Sequence, residues 1–174
     1  MAVLATELSS PRVAWLRIAI RNLRNGVLEV EGGVRFHCDA FTRVLSGCTE
    51  AAVVVLTIGP QLDAQVSKFM HAGELLDALL LESAGWLAIE DATRQFKIYF
   101  RETARANGHR ITSRMGPGYS YRHDSHVCTW PLEEQLSLFG LFGETALPVT
   151  VMESSAMLPK MSRSGLFGIA RLTQ

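Results

Sequence analysis

One segment of eight residues, Ala51 to Ile58, constrains the fold of this chain more than any other part of the sequence. Most of its side chains are small or β-branched, and branched side chains favour extended backbone, so the segment predicts a buried strand that Gly59-Pro60 ends. Two helices are predicted directly after it, at 61–70 and 74–104. The chain therefore needs a sheet with helices packed against it.

Composition and charge narrow the class of protein. The 174 residues suit a single domain, and 48% apolar with 20% charged residues is ordinary for a soluble globular protein. The formal net charge of zero argues against a surface that grips nucleic-acid phosphates. The sequence shows neither an apolar run long enough for a membrane span nor an N-terminal signal segment. Three cysteines at irregular spacing argue against a disulfide framework, so we expect a cytoplasmic protein.

The remaining segments do not alternate regularly between strand and helix. Ser9-Ser10-Pro11 is typical of a helix start, and the apolar spacing that follows predicts a helix over 13–23 that Gly26 ends. Shorter helices are predicted at 39–45 and 131–142. Strands are predicted at 27–30, 34–36, 110–114, 149–152 and 166–172. This order favours a single α+β domain with a mixed or antiparallel twisted sheet and flanking helices.

The long helix carries a carboxylate where an apolar side chain is expected. One stripe of this helix, at three- and four-residue steps, consists of Leu76, Leu79, Ser83, Trp86 and Leu87. Glu90 continues the stripe. A carboxylate on a core-facing stripe needs a cation as partner, either a ligand or an arginine. Alternatively, the stripe leaves the core before residue 90, and Glu90 begins a solvated face.

The segment Arg114-Met-Gly-Pro-Gly-Tyr119 combines groups that suit a small ligand. Gly116 and Gly118 let the backbone around Pro117 approach a ligand closely, because neither glycine carries a β-carbon. Arg114 offers a planar fork for a carboxylate or phosphate, and Tyr119 offers an aromatic face and a hydroxyl. The same residues also fit a plain structural turn.

The polar segment 115–130 is predicted to be a long loop, and it contains a cluster of potential metal ligands. His123, Asp124, His126 and Cys128 lie within six residues of one another. Such clusters also arise by chance in loops, and we expect no metal site. Asp124-x-His126 is similar to part of a signature of corrinoid-binding modules, but Thr129 stands where that signature has glycine. We therefore do not expect this chain to hold a corrinoid itself.

Four short motifs follow one another in the second half of the chain. They are Arg114-x-x-Pro-Gly-Tyr119, Trp130-Pro-Leu-x-x-Gln135, Glu153-Ser154-x-Ala-Met-x-Pro159 and Ser162-x-Ser-Gly165. In this order they resemble the activation domain of cobalamin-dependent methionine synthase, and Thr57-Ile-Gly-Pro60 resembles its shorter, free-standing relatives. The resemblance covers roughly residues 50 to 170, and four ordered motifs are more specific than any one alone.

The resemblance implies a ligand and a set of residues that bind it. The activation domain of this family binds S-adenosylmethionine (SAM), which methylates a corrinoid cofactor after its cobalt has been reduced. By resemblance, Arg114 would hold the SAM carboxylate and Glu90 would face the amino group or the sulfonium of SAM. No residue receives a catalytic role, since the corrinoid carries the chemistry. The implied SAM-binding residues are Glu90, Arg114, Gly116, Pro117, Gly118, Tyr119, Glu153 and Ser154.

The resemblance also implies partners, because no homocysteine, folate or cobalamin module is evident. Cobalamin would arrive on a corrinoid-binding protein or a split methionine synthase, with a flavodoxin or ferredoxin as reductase. Residues 1–50 are a candidate docking element, and residues 51–174 are the activation-domain-like SAM-binding region of one compact domain. The link from Tyr119 to Pro131 is longer than is usual in the family, and the chain ends soon after Gly165, where full methionine synthases supply further SAM contacts.

Three functions remain open on this basis. The first is an accessory subunit that reactivates a separate methionine synthase or corrinoid methyltransferase, whether or not the chain is itself an enzyme. The second is a cap or chaperone for a corrinoid protein that has lost SAM binding. The third is a SAM-dependent methyltransferase for another acceptor. Intact Arg114, Gly118 and Tyr119 favour the first function, and the early end of the chain favours the second.

Overall fold

The computed structural model describes residues 1–123 and 125–172 of the chain. The helices are α1 (Ala2–Glu7), α2 (Ala40–Val44), α3 (Gln61–Ala72), α4 (Leu75–Ala106) and α5 (Glu134–Gly140). The strands are β1 (Arg12–Arg24), β2 (Val27–Val30), β3 (Arg35–His37), β4 (Glu50–Thr57), β5 (His109–Ile111), β6 (Ser120–His123), β7 (His126–Thr129), β8 (Thr150–Val151), β9 (Met157–Leu158) and β10 (Ser162–Arg171). A short 3₁₀ helix, Glu31–Gly33, connects β2 and β3.

A six-stranded sheet with the order β3-β2-β1-β4-β10-β5 forms the centre of the fold, and its strand pairs are antiparallel. The predicted strand at 51–58 is β4. Val53 and Val55 point to one side of the sheet, and Val54 and Leu56 point to the other, and all four are buried. Because both faces are covered, β4 has an unbroken apolar sequence. The predicted α+β fold with an antiparallel sheet is confirmed.

Two layers cover the sheet. On one face, α3 and α4 contribute Leu62, Leu81 and Ile89 to a core that also contains Phe167 of β10. On the other face, α2, α5 and the segment that leads into α5 contribute Phe41, Leu138 and Trp130. Residues 1–50 supply three strands of this sheet, β1 to β3.

The predicted helix at 13–23 is wrong, because this segment forms strand β1. Its even-numbered residues from 14 to 20 are all apolar and face the same core, which is the two-residue period of a strand. Asn25 and Gly26 both have positive φ angles, 51° and 75°. They form a tight turn between β1 and β2, and Asn-Gly is a strong signal for such a hairpin.

Helix α4 buries a different face from the predicted one. The leucines of the stripe 76–87 are 61% to 72% exposed, so the stripe does not face the core. The buried face contains the small residues Ala78 and Gly85. A β-carbon on Gly85 would lie 2.8 Å from the side chain of Leu62 in α3. Gly85 therefore lets α3 pack closely against the buried face of α4, which also contains Leu81, Ile89, Phe96 and Phe100.

The predicted loop at 115–130 is wrong in its second half, where β6 and β7 form an antiparallel hairpin. His123 pairs with His126 across the strands, and Asp124 lies outside the described residues. The strand predicted at 110–114 is β5, which ends at Ile111. Within the part of the chain that the structure describes, no helix combines the length and the apolar character needed to cross a membrane.

Candidate functional site

Adjacent residues of strand β10 contact the two layers that cover the sheet. Successive side chains of a strand point to opposite faces. Arg163 therefore reaches Glu90 of α4, and Ser164 reaches Gln135 of α5. Beyond them, Leu166 pairs with Met115 as an antiparallel bridge with N···O distances of 2.9 and 2.7 Å. This bridge fixes the start of the predicted ligand-binding turn against β10.

The turn from Gly116 to Tyr119 is fixed at its first residue by hydrogen bonds, and its last residue is exposed to solvent. The hydroxyl of Tyr121 accepts a hydrogen bond from the backbone N–H of Gly116 at 2.7 Å and donates to its carbonyl at 3.1 Å. Gly118 has a φ of 80°, which follows Pro117 as in a type II turn. Gly116 and Pro117 are buried, whereas Tyr119 is 41% exposed. The turn thus presents the tyrosine ring to solvent on a fixed backbone.

Arg114 lies beside this tyrosine. Its guanidinium carbon is 4.8 Å from the centroid of the Tyr119 ring, a cation–π distance. Its Nη1 donates to the carbonyl oxygen of Ser164. A guanidinium has further donors after one such bond, and these suit a carboxylate. The geometry therefore leaves Arg114 able to bind an acidic group next to an aromatic face.

Glu90 meets an arginine of the protein at this site. Arg163 binds the Glu90 carboxylate through Nη2 and donates from Nη1 to the Tyr119 hydroxyl at 2.6 Å. The Glu90 side chain is 59% exposed, so the alternative of a solvated Glu90 is the correct one, although the whole stripe lies outside the core and not only its end. Arg163 is only 11% exposed. We call the set Glu90, Arg163, Tyr119 and Arg114 the arginine–tyrosine row.

Glu153 and Ser154 lie apart from this row, in an exposed turn between β8 and β9. Within the described residues, no hydrogen bond joins either side chain to the row. Their buried neighbour Ser155 accepts a hydrogen bond from Gln135 Nε2 at 2.5 Å, and Gln135 Oε1 accepts one from Ser164 at 2.7 Å. The turn therefore connects with the site through Gln135. The assignment of Glu153 and Ser154 to a ligand stays a prediction.

Two residues of the site were assigned no role from the sequence. Arg163 occupies the variable position of the Ser162-x-Ser-Gly motif, and Gln135 ends the Trp-Pro-Leu-x-x-Gln motif. The available signal for Arg163 was an arginine among the small residues at the start of β10. The signal for Gln135 was a polar residue at a helical position that proves to be buried.

Two members of the histidine and cysteine cluster contact the segment that directly precedes α2. Cys128 lies with its sulfur 3.6 Å from that of Cys38, and His126 Nε2 is 3.2 Å from Asp39 Oδ2. Burial raises the pKa of Cys38 to about 12, so this thiol stays protonated near neutral pH. Among residues 1–123 and 125–172, no group of three His, Cys, Asp or Glu side chains could hold a metal ion.

A cavity of about 560 Å³ lies elsewhere, between α1, the end of β4 and α4. Its walls are mainly apolar and include Ala5, Leu56 and Ala88. The arginine–tyrosine row does not line this cavity. The row is instead a surface site beside the exposed stripe of α4.

Comparison with known proteins identifies the fold. No family model and no curated protein matches this chain. Among solved structures, the chain is similar to the crystal structure of the MetH reactivation domain bound to AdoHcy, with a TM-score of 0.60 at 16% sequence identity. The match covers 98% of this chain and 62% of the other, so this chain spans less than two thirds of that structure. The predicted activation-domain fold is confirmed.

Proposed function

We propose that this protein binds SAM at the arginine–tyrosine row and supports the reductive methylation of a corrinoid carried by a separate methionine synthase or corrinoid methyltransferase. The observation that carries the proposal is the stacking of the Arg114 guanidinium on the exposed Tyr119 ring, at 4.8 Å. The fold supports it, since the similar MetH reactivation domain was crystallised with AdoHcy. AdoHcy, S-adenosylhomocysteine, is SAM without the methyl group that SAM transfers.

Each group of the row would contact a different part of the ligand. The carboxylate of SAM would bind Arg114, whose planar fork matches a carboxylate in two parallel hydrogen bonds. The adenine would stack on Tyr119, since the ring is 41% exposed and held rigidly by its turn. The Glu90 carboxylate, which is paired with Arg163, would lie beside the positive end of the ligand. These contacts place SAM without performing chemistry on it.

The corrinoid would reach this site on a partner protein. Once reduced by one electron, the corrinoid would supply a cobalt(I) nucleophile to which the sulfonium of SAM donates its methyl group, and AdoHcy would be the other product. A flavodoxin or ferredoxin would supply the electron to the partner. The role of this chain is to hold the sulfonium of SAM at the surface on which the partner docks.

The exposed stripe 76–87 of α4 supports such a partner. Its leucines are 61% to 72% exposed, Trp86 is 43% exposed, and the stripe ends at Glu90 in the row. Contiguous exposed apolar patches mark interaction surfaces. We infer that the corrinoid-binding partner covers this stripe and approaches the row from the side of α4.

Replacement of Arg114 by alanine is expected to weaken SAM binding about 10- to 150-fold, because a charge-assisted contact contributes about 1.5–3 kcal/mol. Calorimetric titration of both proteins with SAM measures the change. The control is Arg35→Ala, which removes an exposed arginine of β3 that pairs with Glu29. Equal SAM affinity of the wild type and Arg114→Ala would remove Arg114 from the site. No binding by the wild type would favour the cap or chaperone function.

The complete function is tested by reductive methylation of a cobalamin-loaded, corrinoid-binding fragment of methionine synthase. With SAM and reduced flavodoxin, the absorbance of methylcobalamin should appear only when this protein is present. The Arg114→Ala variant should support a lower rate at limiting SAM. A rate that does not depend on this protein, although SAM binds, would limit its function to SAM binding.

A further inference from the structure

We propose that Arg163 is a specificity-determining residue. Because it forms an ion pair with Glu90 and so neutralises that carboxylate, the site prefers AdoHcy to SAM. The inference rests on the proposed function and adds to it the ligand form that the site selects. It follows from the charges of the row and from the way in which Arg163 is held.

Arg163 is a fixed part of the site. Its side chain is 11% exposed, and it contacts the Glu90 carboxylate and the Tyr119 hydroxyl through its two terminal nitrogens. Its guanidinium carbon also lies 5.7 Å from the centroid of the Tyr119 ring. Its Nε is buried and has no hydrogen-bond acceptor among residues 1–123 and 125–172. Glu90 and Tyr119 therefore determine where this guanidinium lies.

The charges of the row add up to one net positive charge. Arg114 and Arg163 are cations, and Glu90 is the carboxylate between Arg163 and solvent. Because Arg163 already neutralises Glu90, little negative potential remains for a cationic ligand. SAM carries a carboxylate, an ammonium and a sulfonium, whereas AdoHcy has a neutral thioether in place of the sulfonium. The row therefore repels the one charge by which the two ligands differ.

The expected preference is modest, since the site is partly exposed. At an exposed site the effective dielectric constant is high, and repulsion between two like charges changes an affinity only about three- to tenfold. Because the proposed reaction converts SAM into AdoHcy, the same preference would retain the product. The fraction of sites that hold SAM would then depend on the ratio of the SAM and AdoHcy concentrations.

The test compares the dissociation constants of SAM and AdoHcy by calorimetry for the wild type, Arg163→Gln and Glu90→Gln. The wild type should bind AdoHcy about three- to tenfold more tightly than SAM at low salt. Arg163→Gln removes a positive charge and should bring this ratio close to one. Glu90→Gln removes a negative charge and should increase the ratio. Arg171→Gln, at the far end of the same strand, is the matched control and should leave the ratio unchanged.

The outcomes separate this inference from the proposed function. If both ligands bind and their ratio is the same in the wild type and in both variants, Arg163 does not determine specificity and the inference is overturned. If neither ligand binds the wild type, the proposed function itself fails. Thermal unfolding of each variant establishes that it is folded, and the opposite shifts expected for Arg163→Gln and Glu90→Gln cannot both arise from loss of structure.

Discussion

Replacing Gly165 with alanine is expected to disrupt the candidate site and to destabilise the protein by about 2–5 kcal/mol, the combined effect of backbone strain and overpacking. Gly165 has a φ of 149°, which side chains rarely allow. A β-carbon there would overlap the carbonyl oxygen of Met115 and lie 3.1 Å from Arg114 Nη1. Met115 cannot withdraw, because its N–H and carbonyl both pair with Leu166. The alanine would therefore displace Arg114 and the turn that follows it.

Urea unfolding measures the loss of stability, and calorimetry with SAM measures the loss of the site. The matched control is Gly140→Ala, since a β-carbon at Gly140 in α5 has no neighbour within 4 Å. That change should leave the stability equal or raise it by up to about 1 kcal/mol, because alanine favours helix more than glycine does. A Gly165→Ala protein with wild-type stability and wild-type SAM affinity would contradict the geometry described for the turn.

Replacing Trp130 with alanine is expected to cost about 3–5 kcal/mol of unfolding free energy, the usual effect of removing a large aromatic side chain from a core. Trp130 is fully buried and makes edge contacts with Phe36 and Phe41, with ring centroids 5.4 and 4.9 Å away. Its indole N–H donates to the Glu134 carboxylate at 2.7 Å. The alanine would leave a cavity and remove one donor from that carboxylate.

Urea unfolding of Trp130→Ala and Trp86→Ala provides the comparison. Trp86 lies on the exposed stripe of α4 and is 43% exposed, so its replacement should change the stability by less than about 1 kcal/mol. The difference between the variants distinguishes a core tryptophan from a surface tryptophan in the same chain. Equal losses would mean that Trp86 is buried or that Trp130 is not.

The sequence correctly predicted those elements whose residue pattern fits only one type of secondary structure. The β-branched residues of β4 and the extent of α3 and α4 left no serious alternative. Strand β1 was different, since its apolar residues at 15, 16, 19, 20 and 23 fit a helix, whereas those at 14, 16, 18 and 20 fit a strand. The turn at Asn25-Gly26 was the local signal that separated these two structures.

The face that α4 buries could not be read from the helix alone. Both faces carry apolar residues at helical spacing, and the large leucines of 76–87 gave the stronger pattern. The buried face was decided by the fit of Gly85 against Leu62, a contact between residues distant in sequence. The leucine stripe then remained exposed on the surface.

The candidate site was predicted in part. The turn from Arg114 to Tyr119 was found through its resemblance to a family motif, and the structure places both residues side by side. The contact of Glu90 with Arg163 depends on how β10 pairs with β4 and packs below α4, which no local pattern specifies. Contacts of this kind, between segments that are distant in sequence, could be identified only from the structure.

The most direct test of the central claim is a crystal structure of the protein with AdoHcy bound. We predict that the ligand lies along the arginine–tyrosine row, with its carboxylate on Arg114 and its adenine against Tyr119. AdoHcy found instead in the cavity of about 560 Å³ between α1 and α4, or at any site away from Arg114 and Tyr119, would contradict the proposed function.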